Sequence, residues 1–273
     1  MLIGRRHFLS RTTRSLAALT LVTATRSAGA RKRFSWPDGK RGAVSLTYDD
    51  GLPSQLDIAM PQLESCGLRG TFFVTGNEIP ARDADWRAAA ARGHEIADHT
   101  IDHPCDLRRY RAREFVEREI RPMEEYLDAL AGPSRFRGYA YPCDVTNLGS
   151  GSANAQVSRY ARLLKRAGII AARTSEGDPN DPLRCRVSAY RLHGLAMGFD
   201  APDPEAVQAY LQLAIDRGHW AILIFHGLVA EISRTGDTRI RDHQAILDSI
   251  WRSDLWCCPV GRVLSYIRSD ASA

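Results

Sequence analysis

The sequence predicts an α/β fold in which a parallel sheet is covered by helices. Three observations carry this. Apolar runs rich in β-branched and aromatic residues alternate with stretches of helical spacing along the chain. The run at 219–227 holds unbroken apolar residues, as a strand covered on both faces does. No repeat, low-complexity tract or long linker divides the chain after its first thirty residues, and a barrel of about 250 residues forms one domain. This order fits a closed barrel or a doubly wound open sheet, and periodicity does not separate them.

The elements follow in turn. A strand is expected at 42–51, ending in Asp49, Asp50 and Gly51. A helix at 54–67 stops at Gly67, with Pro61 weakening its middle. A second strand covers 69–76, a short helix 83–93 and a third strand 94–100. A long helix at 111–132 is expected to kink at Pro122, and a strand follows at 136–142. Asn147–Ser152 reads as a loop, 152–168 as a helix and 169–175 as a strand. The helix at 203–218 has Asp203 as N-cap and Pro204 in its first turn. After the strand at 219–227 come a helix at 241–254, a strand in LWCCPV and a helix at 261–269.

Residues 1–30 read as a cleaved signal peptide. Arg5, Arg6, Arg11 and Arg14 precede an apolar run from Leu16 to about Thr25, and Ala28-Gly29-Ala30 is a small-x-small cleavage site. The apolar run is too short for a permanent membrane span. GRRHFLS resembles the twin-arginine export signal, which implies the twin-arginine machinery as a partner in transit and a periplasmic or secreted destination. The remaining domain is 31–273. Removing the five arginines of residues 1–30 from the 37 basic residues leaves 32, against 32 acidic ones. The net charge of +5 therefore belongs to the leader, and nothing in it points to nucleic acid.

Ligands on parallel sheets gather at the carboxyl ends of the strands. Four predicted strands deliver polar groups there: Asp49 and Asp50; His99 and His103; Tyr141, Pro142 and Cys143; and His226. Two histidines four apart, read as one helical turn, chelate a single ion, and one carboxylate completes a set that leaves positions open for water and substrate. A second carboxylate beside it serves as a base, and a histidine across the site as an acid. Each piece alone also has a mundane reading. Asp-Asp-Gly is a common turn, HxxxH is a loose motif, and a histidine closing an apolar strand can be a hydrogen-bonded core residue. The mundane readings do not place all four at strand ends.

These residues resemble the polysaccharide deacetylases of the NodB-homology type, carbohydrate esterase family 4. The first motif, T-F-D-D-G, is matched by Thr47-Tyr48-Asp49-Asp50-Gly51, and the second, H-S/T-x-x-H, by His99-Thr100-Ile101-Asp102-His103. The resemblance runs from about Ala43 to Ile267 and is weakest between about Gly149 and Pro202. It implies a distorted (β/α)7 TIM-like barrel and hydrolysis of N- or O-acetyl groups on an acetylated glycan of the cell envelope or exterior. It implies a divalent metal on Asp50, His99 and His103, with zinc foremost and cobalt, nickel, manganese or iron as alternatives. The nucleophile would be a metal-bound water, with Asp49 the catalytic base, His226 the general acid and Cys143 the donor of an oxyanion-binding N–H.

The third motif departs from the family pattern R-x-P-[FY]. Ala140-Tyr141-Pro142-Cys143 has alanine where the arginine orients the base, and Arg137 stands three residues upstream. No fourth motif is evident; EGDPNDP (176–182) does not match it. Other readings are the same metal site acting on a non-sugar amide or ester, and an inactive glycan-binding module. A Cys143–His226 nucleophile pair is a further reading, though no G-x-S-x-G elbow is present. Tyr48, Tyr139, Tyr141 and Trp220 fit either sugar stacking or core packing. Six cysteines permit disulfides whose pairing is not legible, adjacent Cys257 and Cys258 are not expected to bond each other, and no CxxC suggests a structural zinc cluster.

Overall fold

The computed structural model describes residues 34–269 apart from 109, 135 and 199–203, so the expected leader and the expected Asp203 cap lie outside the described residues. The chain runs β1 (Gly42–Asp50), α1 (Met60–Ser65), β2 (Thr71–Val74), α2 (Asp83–Ala91), β3 (Glu95–Asp98), α3 (Ala112–Phe115), α4 (Arg121–Ala131), β4 (Gly138–Ala140), α5 (Ala153–Arg166) and β5 (Ala171–Arg173). It continues through α6 (Pro182–Val187), β6 (Leu195–Ala196), α7 (Pro204–Arg217), β7 (Trp220–Phe225), β8 (Leu228–Val229), β9 (Thr238–Arg239), α8 (Ile240–Trp251), β10 (Leu255–Cys257) and α9 (Val260–Ser269).

The main sheet is parallel, in the order β5-β4-β3-β2-β1-β7-β6. The segment before β6 also bonds β5: Leu192 donates to Ala172, and Thr174 to Leu192. The curled sheet therefore closes on itself through this segment as a distorted barrel of seven strands. Part of the distortion lies at β1. Its first residues pair with β10 and its last with β2, on the same side, while β7 pairs along the other.

Alternation along β1 explains why its polar residues are tolerated. Val44, Leu46 and Tyr48 face the covering helices, and Tyr48 stacks on Phe72 and Phe225 at 4.7 and 5.3 Å between ring centroids. The opposite face carries Ala43, Ser45, Thr47 and Asp49 into the barrel. Ser45 Oγ donates to the Cys258 carbonyl and accepts from Trp220 Nε1, and Thr47 Oγ1 donates to the Leu223 carbonyl, so the buried hydroxyls are satisfied. Tyr48, Tyr139 and Trp220 are fully buried core residues rather than an open stacking platform; Tyr141 is largely buried but lines the cavity described below.

Both awkward prolines sit just after a π-turn. The Met60 N–H reaches the Gln55 carbonyl, and the Arg121 N–H reaches Val116, each five residues back. The wider turn absorbs the missing N–H of Pro61 and of Pro122. The expected interruption at Pro122 is thus a π-turn at Val116–Ile120. α6, β6 and the β8–β9 pair escape a periodicity reading because each has six residues or fewer. α6 is started by the Asp181 carboxylate, which accepts from the Leu183 N–H at 2.9 Å. No helix among the described residues is long and apolar enough to cross a membrane.

Candidate active site

The strand ends meet in one cavity of about 650 Å³, lined among others by Asp49, Asp50, His99, His103, Tyr141, Cys143, Arg173 and His226. All six residues to which the family resemblance gives a role line it: Asp49, Asp50, His99, His103, Cys143 and His226.

One wall is a donor set. His99 Nε2 and His103 Nε2 lie 3.6 and 3.7 Å from Asp50 Oδ1. Donors about 2.0–2.2 Å from a shared ion stand roughly this far apart. The His99 Nδ1–H donates to the Ala140 carbonyl at 2.9 Å, which leaves the Nε2 lone pair facing Asp50. Burial, with His103 adding to it and Asp49 and Asp50 opposing, brings the His99 pKa down to about 4, so the ring is neutral and ready to ligate. The residues present therefore fit a divalent cation.

The histidines are not on a helical turn, as the sequence reading had them. Thr100 and His103 have φ of 69° and 50°, and the chain between them is a tight loop. The loop is held by its own side chains. The Asp98 carboxylate accepts from the Thr100 N–H at 2.6 Å, and Thr100 Oγ1 accepts from the His103 N–H at 2.9 Å. The i, i+4 spacing brings the rings to 4.6 Å by a different backbone route.

The other wall holds Asp49 and His226. Asp49 is 5% exposed, and His226 Nε2 lies 4.0 Å from its carboxylate. Gln55 Nε2 donates to the carbonyls of Asp49 and His226 at 2.5 and 3.3 Å, tying the ends of β1 and β7 together. His226 is followed by Gly227, and a side chain there would meet Asp237 Oδ1 at 2.4 Å. Asp237 is a buried acid of the cavity that belongs to none of the sequence motifs.

The residue that holds Asp49 is Arg173, at the end of β5. Its Nη2 donates to both Asp49 oxygens at 2.5 Å, and its guanidinium lies over the Phe73 ring, 5.1 Å from the centroid. Burial pushes the Asp49 carboxyl up, but Arg173, aided by His99 and His226, outweighs it and holds the pKa below the ordinary value. The arginine missing at Ala140 is replaced from the next strand. Arg137 plays no part; it pairs with Glu124 and Asp128 at 2.8 and 2.9 Å. The rule that selected the other strand ends would have selected Arg173 had it been applied to the run at 169–175.

Cys143 is bonded to Cys105 in a disulfide, which removes its thiol as a nucleophile. Its backbone has φ of 50° in a 3-10 turn closed by the N–H groups of Asp144 and Val145, and its own N–H is not one of those bonds. Cys66, Cys185, Cys257 and Cys258 are free thiols.

Comparison with known proteins fits this geometry. Residues 37–165 match the family model for polysaccharide deacetylase. The chain is 34% identical over 115 residues to a chitin deacetylase of Colletotrichum lindemuthianum, covering 38% of this chain and 44% of that protein. It is 25% identical over 259 residues to a gellan lyase of Bacillus sp, covering 87% of this chain and 10% of the lyase. It thus spans less than half the length of either relative. A crystal structure from Mycobacterium smegmatis, assigned as a polysaccharide deacetylase, superposes with a TM-score of 0.61 at 20% identity, over 88% of this chain and 94% of that one; at this identity the likeness shows the fold. With both aspartates of the first motif and both histidines of the second in place, and the third altered, the chain is similar over residues 37–165 to the polysaccharide deacetylases of the NodB-homology type.

Proposed function

We propose that the protein is a metal-dependent hydrolase that removes N- or O-acetyl groups from a glycan outside the cytoplasm. One observation carries most of the weight. A single cavity holds a buried, arginine-tied carboxylate with an imidazole 4.0 Å away, beside a separate carboxylate and two-imidazole donor set. Asp50, His99 and His103 would hold a divalent cation, zinc foremost, which when bound would act as a Lewis acid and lower the pKa of a water. Asp49, ionised at neutral pH beside Arg173, takes a proton from the attacking water. The Cys143 N–H donates to the acetyl carbonyl oxygen as charge develops on it. His226 gives a proton to the sugar nitrogen or oxygen as the bond to the acetyl carbon breaks. Acetate and the free amine or hydroxyl leave, and no side chain is acylated.

The names of the relatives, among them chitin deacetylase and the peptidoglycan-N-acetylglucosamine deacetylase of Bacillus cereus, support glycans containing N-acetylglucosamine as the first to test. The leader-like residues 1–30 and the disulfide support export into an oxidising compartment by the twin-arginine route. Export that persists unchanged when Arg5 and Arg6 both become Lys would refute that route.

The decisive experiment measures bound metal and acetate release together on a panel of acetylated chitin, peptidoglycan and xylan fragments, for wild type and His103→Ala. Metal and acetate release in the wild type, both lost in the variant, are expected. A metal-loaded protein that releases no acetate from any glycan would move the reading to another amide or ester. No metal uptake by wild type from zinc or cobalt would overturn it.

A further inference from the structure

The two nitrogens of His103 face two different donor sets. Nε2 lies 3.7 Å from Asp50 Oδ1, within the set already described. Nδ1 lies 3.9 Å from Cys105 Sγ, and Cys105 is bonded to Cys143 across 38 residues. A His103 nitrogen and both sulfurs fall within 4.8 Å of one another. Both cysteines are exposed, so a reductant reaches the bond from solvent.

We propose that the Cys105–Cys143 disulfide masks a second metal site, made of two thiolates and His103 Nδ1, which opens on reduction and takes a soft divalent cation of the zinc class. Bonded to each other, the sulfurs offer no anion. Reduced, they are thiolate ligands about 2.3 Å from a tetrahedral ion and so roughly 3.8 Å apart. Bonded sulfurs are already about 2 Å apart, so the two exposed turns carrying Cys105 and Cys143 need to part by only about 2 Å. The proposal goes beyond the deacetylase reading and does not rest on it.

The shared imidazole gives the site a consequence. A neutral imidazole has one lone pair and one proton. A cation on Nδ1 leaves the proton on Nε2 and withdraws His103 from the Asp50 and His99 set. The two sites therefore exclude each other, and the disulfide reserves His103 for the catalytic one. This chain has a cysteine where the family pattern has an aromatic residue after the proline, which puts a sulfur beside the metal-ligand loop.

The test uses metal-free protein under nitrogen. A water-soluble trialkylphosphine reduces the bond: the phosphorus takes the oxygen of one water and leaves as phosphine oxide, and the two sulfurs take its two protons. After desalting, one equivalent of cobalt(II) is added, and the near-ultraviolet thiolate-to-cobalt band is read. Cobalt binding releases the two thiol protons. A strong band is expected in reduced wild type and in reduced Asp50→Asn, and none in the oxidised protein. Reduced Cys105→Ser should lose most of the band, and reduced His103→Gln should bind cobalt at least tenfold more weakly. Absence of the band in reduced wild type would overturn the proposal. So would an equal band in Cys105→Ser, which would place the sulfur ligands among Cys66, Cys185, Cys257 and Cys258. Unchanged affinity in His103→Gln would overturn the shared imidazole. Acetate release by the oxidised protein is a separate readout, so failure of one reading is distinguishable from failure of the other.

Discussion

Replacing Arg173 by alanine removes the cation that faces Asp49 and leaves a buried carboxylate with no guanidinium beside it. Breaking a buried ion pair from one side costs about 3–5 kcal/mol, because the remaining charge is stranded. Part of that is recovered by protonating Asp49, and protonation disables the base. Arg173 is the largest influence lowering the Asp49 pKa against burial, so its loss lets burial win and the pKa rises. A rate that needs the Asp49 carboxylate then falls off at higher pH than in the wild type. Lost aim adds to lost charge, since a base misplaced by about 1 Å costs on the order of 100-fold. The expected outcome is a fall of about 100-fold or more in kcat/KM at neutral pH on an acetylated oligosaccharide. The acid limb of the pH–rate profile should move upward, and unfolding should occur at lower temperature. Arg173→Lys keeps a charge but not the two-oxygen contact, and should fall between. The sharper test adds an arginine on the adjacent strand. Ala140 and Arg173 are directly opposed in the β4–β5 register, so their side chains leave the sheet on the same face. Ala140→Arg in the Arg173→Ala background should recover at least tenfold of the loss and return the acid limb toward its original position. Wild-type kcat/KM and an unmoved acid limb in Arg173→Ala would refute the positioning role.

Three further outcomes follow from the same physics. His243 is fully buried, its Nε2 2.8 Å from the Tyr48 hydroxyl and its Nδ1 2.6 Å from Gln62 Oε1, and burial holds its pKa to about 3. His94 is held to about 4, chiefly by burial. The unfolded chain protonates these rings near pH 6.5 and the folded one does not, so stability present above 6.5 should decline as pH falls from there toward 3. Thermal unfolding from pH 7 to 4 reads this, and a His243→Gln variant should show a shallower decline. Chelation should lower both the unfolding temperature and acetate release, and zinc or cobalt should restore both; a chelated protein with unchanged melting would contradict occupancy of the Asp50 set. Gly227→Ala forces a methyl against the Asp237 carboxylate, which should cost about 1–3 kcal/mol in denaturant unfolding and reduce kcat/KM by displacing His226.

What was legible in the sequence had a local cause. Asp49, Asp50, His99 and His226 each close an apolar run and His103 follows His99 by four residues, so pattern and strand-end chemistry place them without knowledge of distance. The backbone between the histidines is not legible in the same way, because HxxxH spacing fits a helical turn and a tight loop alike. Positive φ at Thr100 and His103 is stabilised by side-chain hydrogen bonds that no periodicity reveals. The disulfide is illegible for a different reason: Cys105 and Cys143 are 38 residues apart, and the pairing of β3 with β4 sets the segments that follow them side by side, with the two Cα atoms 5.4 Å apart. Likewise, whether Tyr48 and Trp220 pack or stack depends on which sheet face is covered, which alternation alone leaves open.

Arg173 is the informative omission. Motif reading looks for a residue at a fixed place in the chain, whereas the chemistry needs a guanidinium at a place in the barrel. Asp49 asks for a cation over the interior side of the sheet near the ends of β4 and β5, and either strand can supply it from the register pair Ala140 and Arg173. Once β5 supplies it, an arginine on β4 would set two cations in the same pocket, and a small residue becomes the better neighbour. Alanine at 140 is thus the counterpart of arginine at 173, and its carbonyl still serves the site by accepting the His99 Nδ1–H. On this argument the altered third motif preserves the base rather than marking its loss. Ala140→Arg in the presence of Arg173 should therefore harm the enzyme, while the same change without Arg173 should help it. Two opposite signs from one substitution, read as kcat/KM in a double-mutant cycle, would not arise if position 140 mattered only for packing.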